Sequence, residues 1–289
     1  MNSALLGLVA ALSWGLNDFL ARFPSRAVGP IPTVLAVTAA GLIVLSAWLL
    51  LGGATVSIVW PSLWLVAVSG VFFTLGTLAL YAALALGPIS IVAPITGSYP
   101  ALAMILAVAQ GARPSLTQWL AIGAVTAGVV IVSRSGGRYE ESGELPPGKL
   151  KIVLGLALLA SFGFAIALAA GQAAVPIFGE VETVWLARLF GLITIGSLYL
   201  WDLWRSAKAS LPASWLPLLG LMGCLDVAAL GTIVVAGNLP DPAFATVVSS
   251  AFSAVTVILA RVILKEAISP AQLGGIALIV GGVVALAGL

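Results

Sequence analysis

Ten runs of about 18 to 25 predominantly apolar residues fill this chain, at about 4–21, 32–51, 61–85, 88–110, 115–133, 151–171, 182–201, 214–236, 242–264 and 270–288. A helix needs about 20 such residues to cross a hydrocarbon core of about 30 Å. In lipid the backbone must also satisfy its own hydrogen bonds, which a helix does within one segment. The expected fold is therefore an all-α polytopic membrane protein with ten transmembrane helices. Composition agrees: 61% of the 289 residues are hydrophobic, 8% are charged and the mean hydropathy is +1.19, outside the range of a water-soluble domain. One cysteine, Cys224, and no histidine leave no disulfide framework, no usual zinc ligand set and no Ser/His/Asp triad. Twelve Lys and Arg against ten Asp and Glu, with no basic run interleaved with aromatics, exclude the nucleic-acid binders. No cofactor or metal is expected, and no enzyme. The first run lacks a basic leader and a small-residue cleavage site, so it counts as a mature helix.

The runs divide into two sets of five around a polar, Gly- and Pro-rich stretch at 134–150, which reads as a linker between repeats 1–133 and 151–289. At an offset of 154, Pro88, Ser115, Gln118, Gly128, Val129 and Val130 fall on Pro242, Ser269, Gln272, Gly282, Val283 and Val284. At an offset of 148, "GLVAALSWG" falls on "GLALLASFG", placing Ser13 and Gly15 opposite Ser161 and Gly163. Five is odd, so the second repeat must enter the membrane the other way up. Such inverted repeats mark alternating-access transporters. Arg22, Arg26, Arg134, Arg138, Lys149, Lys151, Arg205, Lys208, Arg261 and Lys265 all flank the loops after odd-numbered runs, whereas Arg113 stands on the other side. By the positive-inside rule those loops are cytoplasmic and both termini are outside.

A few residues interrupt the apolar pattern. Asp226 lies about 12 residues into the eighth run, or roughly 18 Å, close to the midplane. A carboxylate there costs about 2.5 to 3.5 kcal/mol on insertion scales and faces a cavity or a partner. It reads either as a protonatable coupling site or counter-ion for a cation, or as half of an interhelical salt bridge with Arg188. Arg188, about six residues into the seventh run, has a planar fork suited to a carboxylate or phosphate, or to Asp226. Asp18 follows Asn17 and precedes Arg22 by one turn, which suggests an intrahelical ion pair, with substrate or proton binding as the alternative. Trp14, one turn earlier, offers a wall for an aromatic or cationic ligand, or a packed interior ring. Tyr81 in the third run and Ser253 in the ninth complete the candidate set.

The fourth run carries Pro88, Pro94 and Pro100, with Gly97 and Tyr99 between the last two. Pro88 sits at a helix start, where proline is tolerated. Pro94 and Pro100 each remove a backbone bond and bend the helix. Their counterparts are Val248 and Ala254, with Ser249, Ser250 and Ser253 nearby. Pro94, Gly97 and Pro100 therefore read as a bend and gate lining a cavity. In the tenth run Gly274, Gly275, Gly281 and Gly282 share a face, and with Gly123 and Gly128 they read as a close-packed scaffold between the halves.

"SWGLNDFLAR" at 13–22 and "ILKEAISPAQLGGIALIVGGVVALAG" at 263–288, with Lys265, Glu266 and Gln272 and the five-plus-five pattern, resemble the EamA-like branch of the drug/metabolite transporter superfamily. Acidic turns like that of Lys265 and Glu266 usually occur in both halves of such proteins, but the first half here has Gly111 and Ala112. The resemblance implies secondary transport, often export, of amino acids, other metabolites or cationic drugs across a bacterial inner membrane. It also implies termini in the cytoplasm, opposite to the charge count. With no nucleotide-binding loop in the sequence, the energy would come from protons, another ion or the solute gradient, with Asp226 as the candidate for proton coupling. Facilitated uptake and a non-transporting subunit are the competing readings. The expected partners are the solute, lipid and protons, around a monomer.

Overall fold

A computed structural model of the chain describes residues 3–52, 56–109, 111, 113–135, 145, 148–206, 211–237, 248–249 and 251–288. Ala112, Arg138, Lys208, Pro242, Ser250 and most of the linker lie outside the described residues. The described elements are helical, and there is no strand among them. In chain order the helices are α1 (Ser3–Ala27), α2 (Pro30–Leu51), α3 (Leu63–Leu86), α4 (Ile89–Thr96), α5 (Tyr99–Ala109), α6 (Leu116–Ser135), α7 (Lys149–Phe178), α8 (Glu180–Ser206), α9 (Leu216–Gly237), α10 (Phe252–Ile263) and α11 (Pro270–Gly288). Short 3-10 turns, Trp60–Ser62 and Ala213–Trp215, lead into α3 and α9.

Among the described residues, seven helical stretches are long and apolar enough to cross a membrane, and the shorter α10 and α11 are apolar as well. Their outward faces carry large apolar side chains. Leu50 and Leu51 are 81% and 90% exposed, which in water would be a large uncovered apolar surface. Trp60, Trp64 and Trp204 stand exposed near helix ends, and the Arg205 guanidinium lies 5.3 Å over the Trp201 ring. Aromatic and cationic groups at helix ends suit the membrane–water boundary. The chain is an integral membrane protein.

Two turns are built alike. Gly29, at φ 96°, joins α1 to α2, and Gly179, at φ 90°, joins α7 to α8. A left-handed turn of this kind is natural only for glycine. In each case a threonine four residues on, Thr33 or Thr183, donates its hydroxyl back to the glycine carbonyl, at 2.7 and 2.5 Å.

The helices pack through small residues. Along the seam of α3 with α7, a Cβ on Gly163 would stand 3.0 Å from the Gly76 Cα, so the two backbones touch. Ser69 adds a hydrogen bond to the Ala167 carbonyl at 2.8 Å. Gly70 of α3 receives the Ala187 carbonyl of α8, and Gly223 of α9 receives Gly41 of α2. Between α6 and α11, Gly128 meets the Gly275 carbonyl, and Gly282 meets Ala121 and Val125. Without a hydrophobic drive between helices in lipid, such close approach supplies the packing energy. Gly123, Gly274 and Gly281 have no neighbour within 4 Å of an added Cβ. Only one glycine of each pair in α11 makes the contact, because adjacent residues lie 100° apart around a helix.

The fourth run is two helices. α4 ends at Thr96, Gly97 and Ser98 form a turn, and α5 begins at Tyr99. The Ser98 hydroxyl donates to the Ile95 carbonyl at 2.6 Å, satisfying part of the interrupted backbone. In the ninth run the described residues 248–249 are helical, and α10 spans Phe252–Ile263. α1, α7 and α8 extend beyond the apolar runs that define them, to Ala27, Phe178 and Ser206, because helix geometry continues into the polar boundary where hydropathy alone stops.

Candidate functional site

Asp226 is the eleventh residue of the 22-residue α9, and its carboxylate is buried. Two groups from different helices hold it. Trp14 of α1 donates its indole N–H to Oδ1 at 3.1 Å, and Arg188 of α8 forms a direct ion pair with Oδ2. Arg188 enters beside Gly41, where an added Cβ would occupy the space of its guanidinium. A glycine on α2 therefore makes room for a charge on α8.

A second polar group adjoins the first. Asn17 of α1 donates from its side-chain nitrogen to the Tyr81 hydroxyl of α3 at 3.4 Å. Asp18 is buried and close enough to Asp226 to interact with its charge. Tyr81, only 1% exposed, lies within electrostatic reach of Asp18, Asp226 and Arg188. Two carboxylates and one guanidinium thus share one buried region, for a formal charge of −1 when all three are ionised. Two polar atoms there are buried with no hydrogen-bond partner among the described residues: the donor Arg188 Nε and the acceptor Asn17 Oδ1. Buried groups of this kind are rare and need an explanation.

The sequence-based pairing of Asp18 with Arg22 is not what forms. Arg22 instead pairs with Glu266, 244 residues away, at 2.9 Å. The helix spacing brings Arg22 near Asp18, but a carboxylate at the membrane boundary and the Gly87 carbonyl draw it the other way.

An aromatic row runs from this cluster toward the broken helix. Trp14 meets Phe252 of α10 edge to face at 6.3 Å, Phe252 stacks on Tyr99 at 6.4 Å, and Tyr99 meets Phe164 of α7 edge to face at 6.3 Å. Phe73 of α3 closes the row against Phe164 at 5.3 Å. Tyr99 therefore joins the site through its ring. Gly97 lies against Ser253, whose Oγ would be 2.9 Å from an added Cβ. Ser98 and Ser161 hydroxyls meet at 3.3 Å where α4 and α5 separate. Pro94 is buried in α4 and Pro100 is half-buried in α5, on either side of the turn.

Trp14, Asn17, Asp18, Tyr81, Arg188 and Asp226 are thus brought together, while Tyr99, Ser253, Pro94, Gly97 and Pro100 gather at the other end of the aromatic row. Phe164 and Phe252 were not singled out from the sequence, since phenylalanine in an apolar run carries no distinguishing signal. Two apolar grooves open outward elsewhere, one between α2, α8 and α9 at Leu35, Ile43 and Leu219, and one between α6 and α11 at Leu120 and Leu278. Neither includes the charged cluster.

Among curated proteins, none matches the chain significantly. A solved crystal structure matches over 98% of this chain and 95% of its own, with a TM-score of 0.66 and 19% sequence identity, a likeness of fold. The model of the EamA-like transporter family matches twice, at residues 1–134 and 151–288, and so covers nearly all of both halves. The chain belongs to the EamA-like transporter family, and is a membrane transporter of small solutes.

Proposed function

We propose that this protein is a secondary active transporter of small organic solutes, working by alternating access around the Asp226 cluster. The carrying observation is the buried pairing of Asp226 with Arg188 and Trp14 at the middle of the helix bundle. Removing one partner from a buried ion pair leaves an uncompensated charge, costing about 3 to 5 kcal/mol. The pair therefore opens only when something replaces the lost partner. A proton on Asp226 releases Arg188 to take an anionic group of the solute, and a cationic group can instead take Asp226. The formal charge of −1 leaves room for one proton or one cation. Arg188 Nε and Asn17 Oδ1 supply one further donor and one further acceptor.

The two halves, 1–133 and 151–289 joined by 134–150, are read as inverted five-helix repeats, which makes ten spans with α4 and α5 counted as one. Helix contacts support the pairing. Exchanging the halves turns α1 on α9 into α7 on α3, α1 on α10 into α7 on α4 and α5, and α2 on α9 into α8 on α3; every one of these contacts occurs. The α2–α8 and α6–α11 contacts map onto themselves and also occur. The matching glycine turns at Gly29 and Gly179 support it too. Alternating access is then a rocking of one half against the other, with the break at Gly97 and Ser98 as the moving element. Export across a bacterial inner membrane is the direction that the family resemblance favours; proton coupling rests on Asp226, and a monomer on two fused halves that already complete the repeat.

The purified protein in liposomes, given a panel of amino acids, other metabolites and organic cations with and without an imposed pH gradient, tests this reading. At least one solute is expected to move faster than in protein-free liposomes, at a rate that follows the gradient. No flux for any solute, or flux indifferent to the gradient, contradicts it.

A further inference from the structure

A second polar network lies where the ends of α1, α3 and α10 meet, on the side where the sequence gathers its cations. Glu266, buried in the turn between α10 and α11, accepts the backbone amides of Ile89 at 3.0 Å and Ser90 at 2.9 Å, the first two residues of α4. Its Oε1 also takes Arg22 Nη1 at 2.9 Å, and the same nitrogen donates to the Gly87 carbonyl at 3.1 Å. Arg261 donates to the main-chain carbonyl of Glu266 at 2.9 Å, and Gln272 donates to the Ser90 carbonyl at 3.0 Å. Lys265, just before the glutamate, is held at φ 56°, a left-handed conformation that costs a non-glycine residue free energy and persists only where its surroundings enforce it. A carboxylate at a helix start satisfies free amides and meets the positive end of the helix dipole. Here it comes from the opposite half of the chain, so the cap fastens α4 to α1 and to the α10–α11 turn.

The carboxylate of this network is not repeated at the matching position of the first half. Ser115 and Gln118 correspond to Ser269 and Gln272. In α6 the pair forms a reciprocal capping box: the Gln118 amide donates to Ser115 Oγ at 3.3 Å, and the Ser115 amide donates to Gln118 Oε1 at 2.8 Å. In α11 Ser269 still takes the Gln272 amide at 3.1 Å, but the Gln272 side chain reaches across to α4. The positions matching Lys265 and Glu266 are Gly111 and Ala112. Neither has a side chain that accepts an amide or carries a charge.

We propose that Glu266 is a positioning residue for transport that latches the gate on the arginine-rich face, the face of the loops after odd-numbered runs. With this cap in place the protein is closed on the arginine-rich face. This rests on the transporter reading above. α4 is the first half of the broken segment, and holding its start also holds Gly97 and Ser98 beside Ser253 and Ser161.

Thiol accessibility in the full chain, in right-side-out and inside-out membrane vesicles, tests the latch. On a Cys224→Ala background, Ser25→Cys puts a thiol at a position 2% exposed and three residues from Arg22 on the same helix face. A thiol in place of Glu141, in the linker, identifies the arginine-rich face. With Glu266 intact, a membrane-impermeant maleimide is expected to label Ser25→Cys slowly from both sides. Glu266→Gln is expected to speed labelling from the arginine-rich face about tenfold, the size of losing a charge-assisted hydrogen bond, and to leave the other face unchanged. Gln272→Met keeps the volume and removes the bond to Ser90, so a rise of about threefold on the same face is expected. This second variant decides the matter if the first fails to assemble. Unchanged labelling, or an equal rise from both faces, overturns the proposal. No solute enters the experiment, so the latch stands or falls independently of any flux result.

Discussion

Asp226 is held by two donors from helices far apart in sequence, and this determines how the cluster responds to substitution. Arg188→Ala leaves the Asp226 carboxylate with the Trp14 indole but without its ion-pair partner, and is expected to cost about 3 to 5 kcal/mol. Thermal unfolding in detergent is the measurement. The double variant Arg188→Leu with Asp226→Leu removes both charges and is expected to recover most of that loss while transporting nothing. A double variant as unstable as Arg188→Ala would mean that the pair is not what the stability depends on. The Asp226–Arg188 pairing was legible in the sequence as one of two alternatives, since few charges lie deep in apolar runs and such charges seek partners. The partner of Arg22 was not legible. Helix spacing pointed to Asp18, four residues away, whereas Glu266 is 244 residues distant, and only the folded bundle brings them together.

At the scale of elements, the fourth run determines how the site can move. Its break falls between Pro94 and Pro100, where proline removes backbone donors and Gly97 allows close contact with Ser253. Gly97→Ala would place a Cβ 2.8 Å from the Ser253 Cβ, an overpacking expected to cost about 1 to 3 kcal/mol and to slow flux. Adding Ser253→Gly relieves the clash and is expected to restore stability. If Gly97→Ala alone leaves stability and flux unchanged, this contact is not part of the moving element. The prolines made the interruption legible. The aromatic row did not announce itself, because Phe164 and Phe252 look in sequence like any other apolar residue in a span.

Across the whole molecule, ten runs and a polar linker suggest two halves, and the family model matches residues 1–134 and 151–288. Which glycines meet was less readable. Gly128, Gly275 and Gly282 make close contacts while Gly274 and Gly281 do not, a matter of helix rotation that run length does not reveal. The ten-to-one placement of Lys and Arg predicts that a thiol at Glu141 is labelled by an impermeant reagent in inside-out vesicles and not in right-side-out ones; the reverse pattern would invert the topology. Proton coupling at Asp226 is decided by solute flux in proteoliposomes, measured against an imposed pH gradient for the parent and for Asp226→Asn. The asparagine variant is expected to lose its response to the gradient, whereas a response as large as the parent's would contradict coupling through this carboxylate.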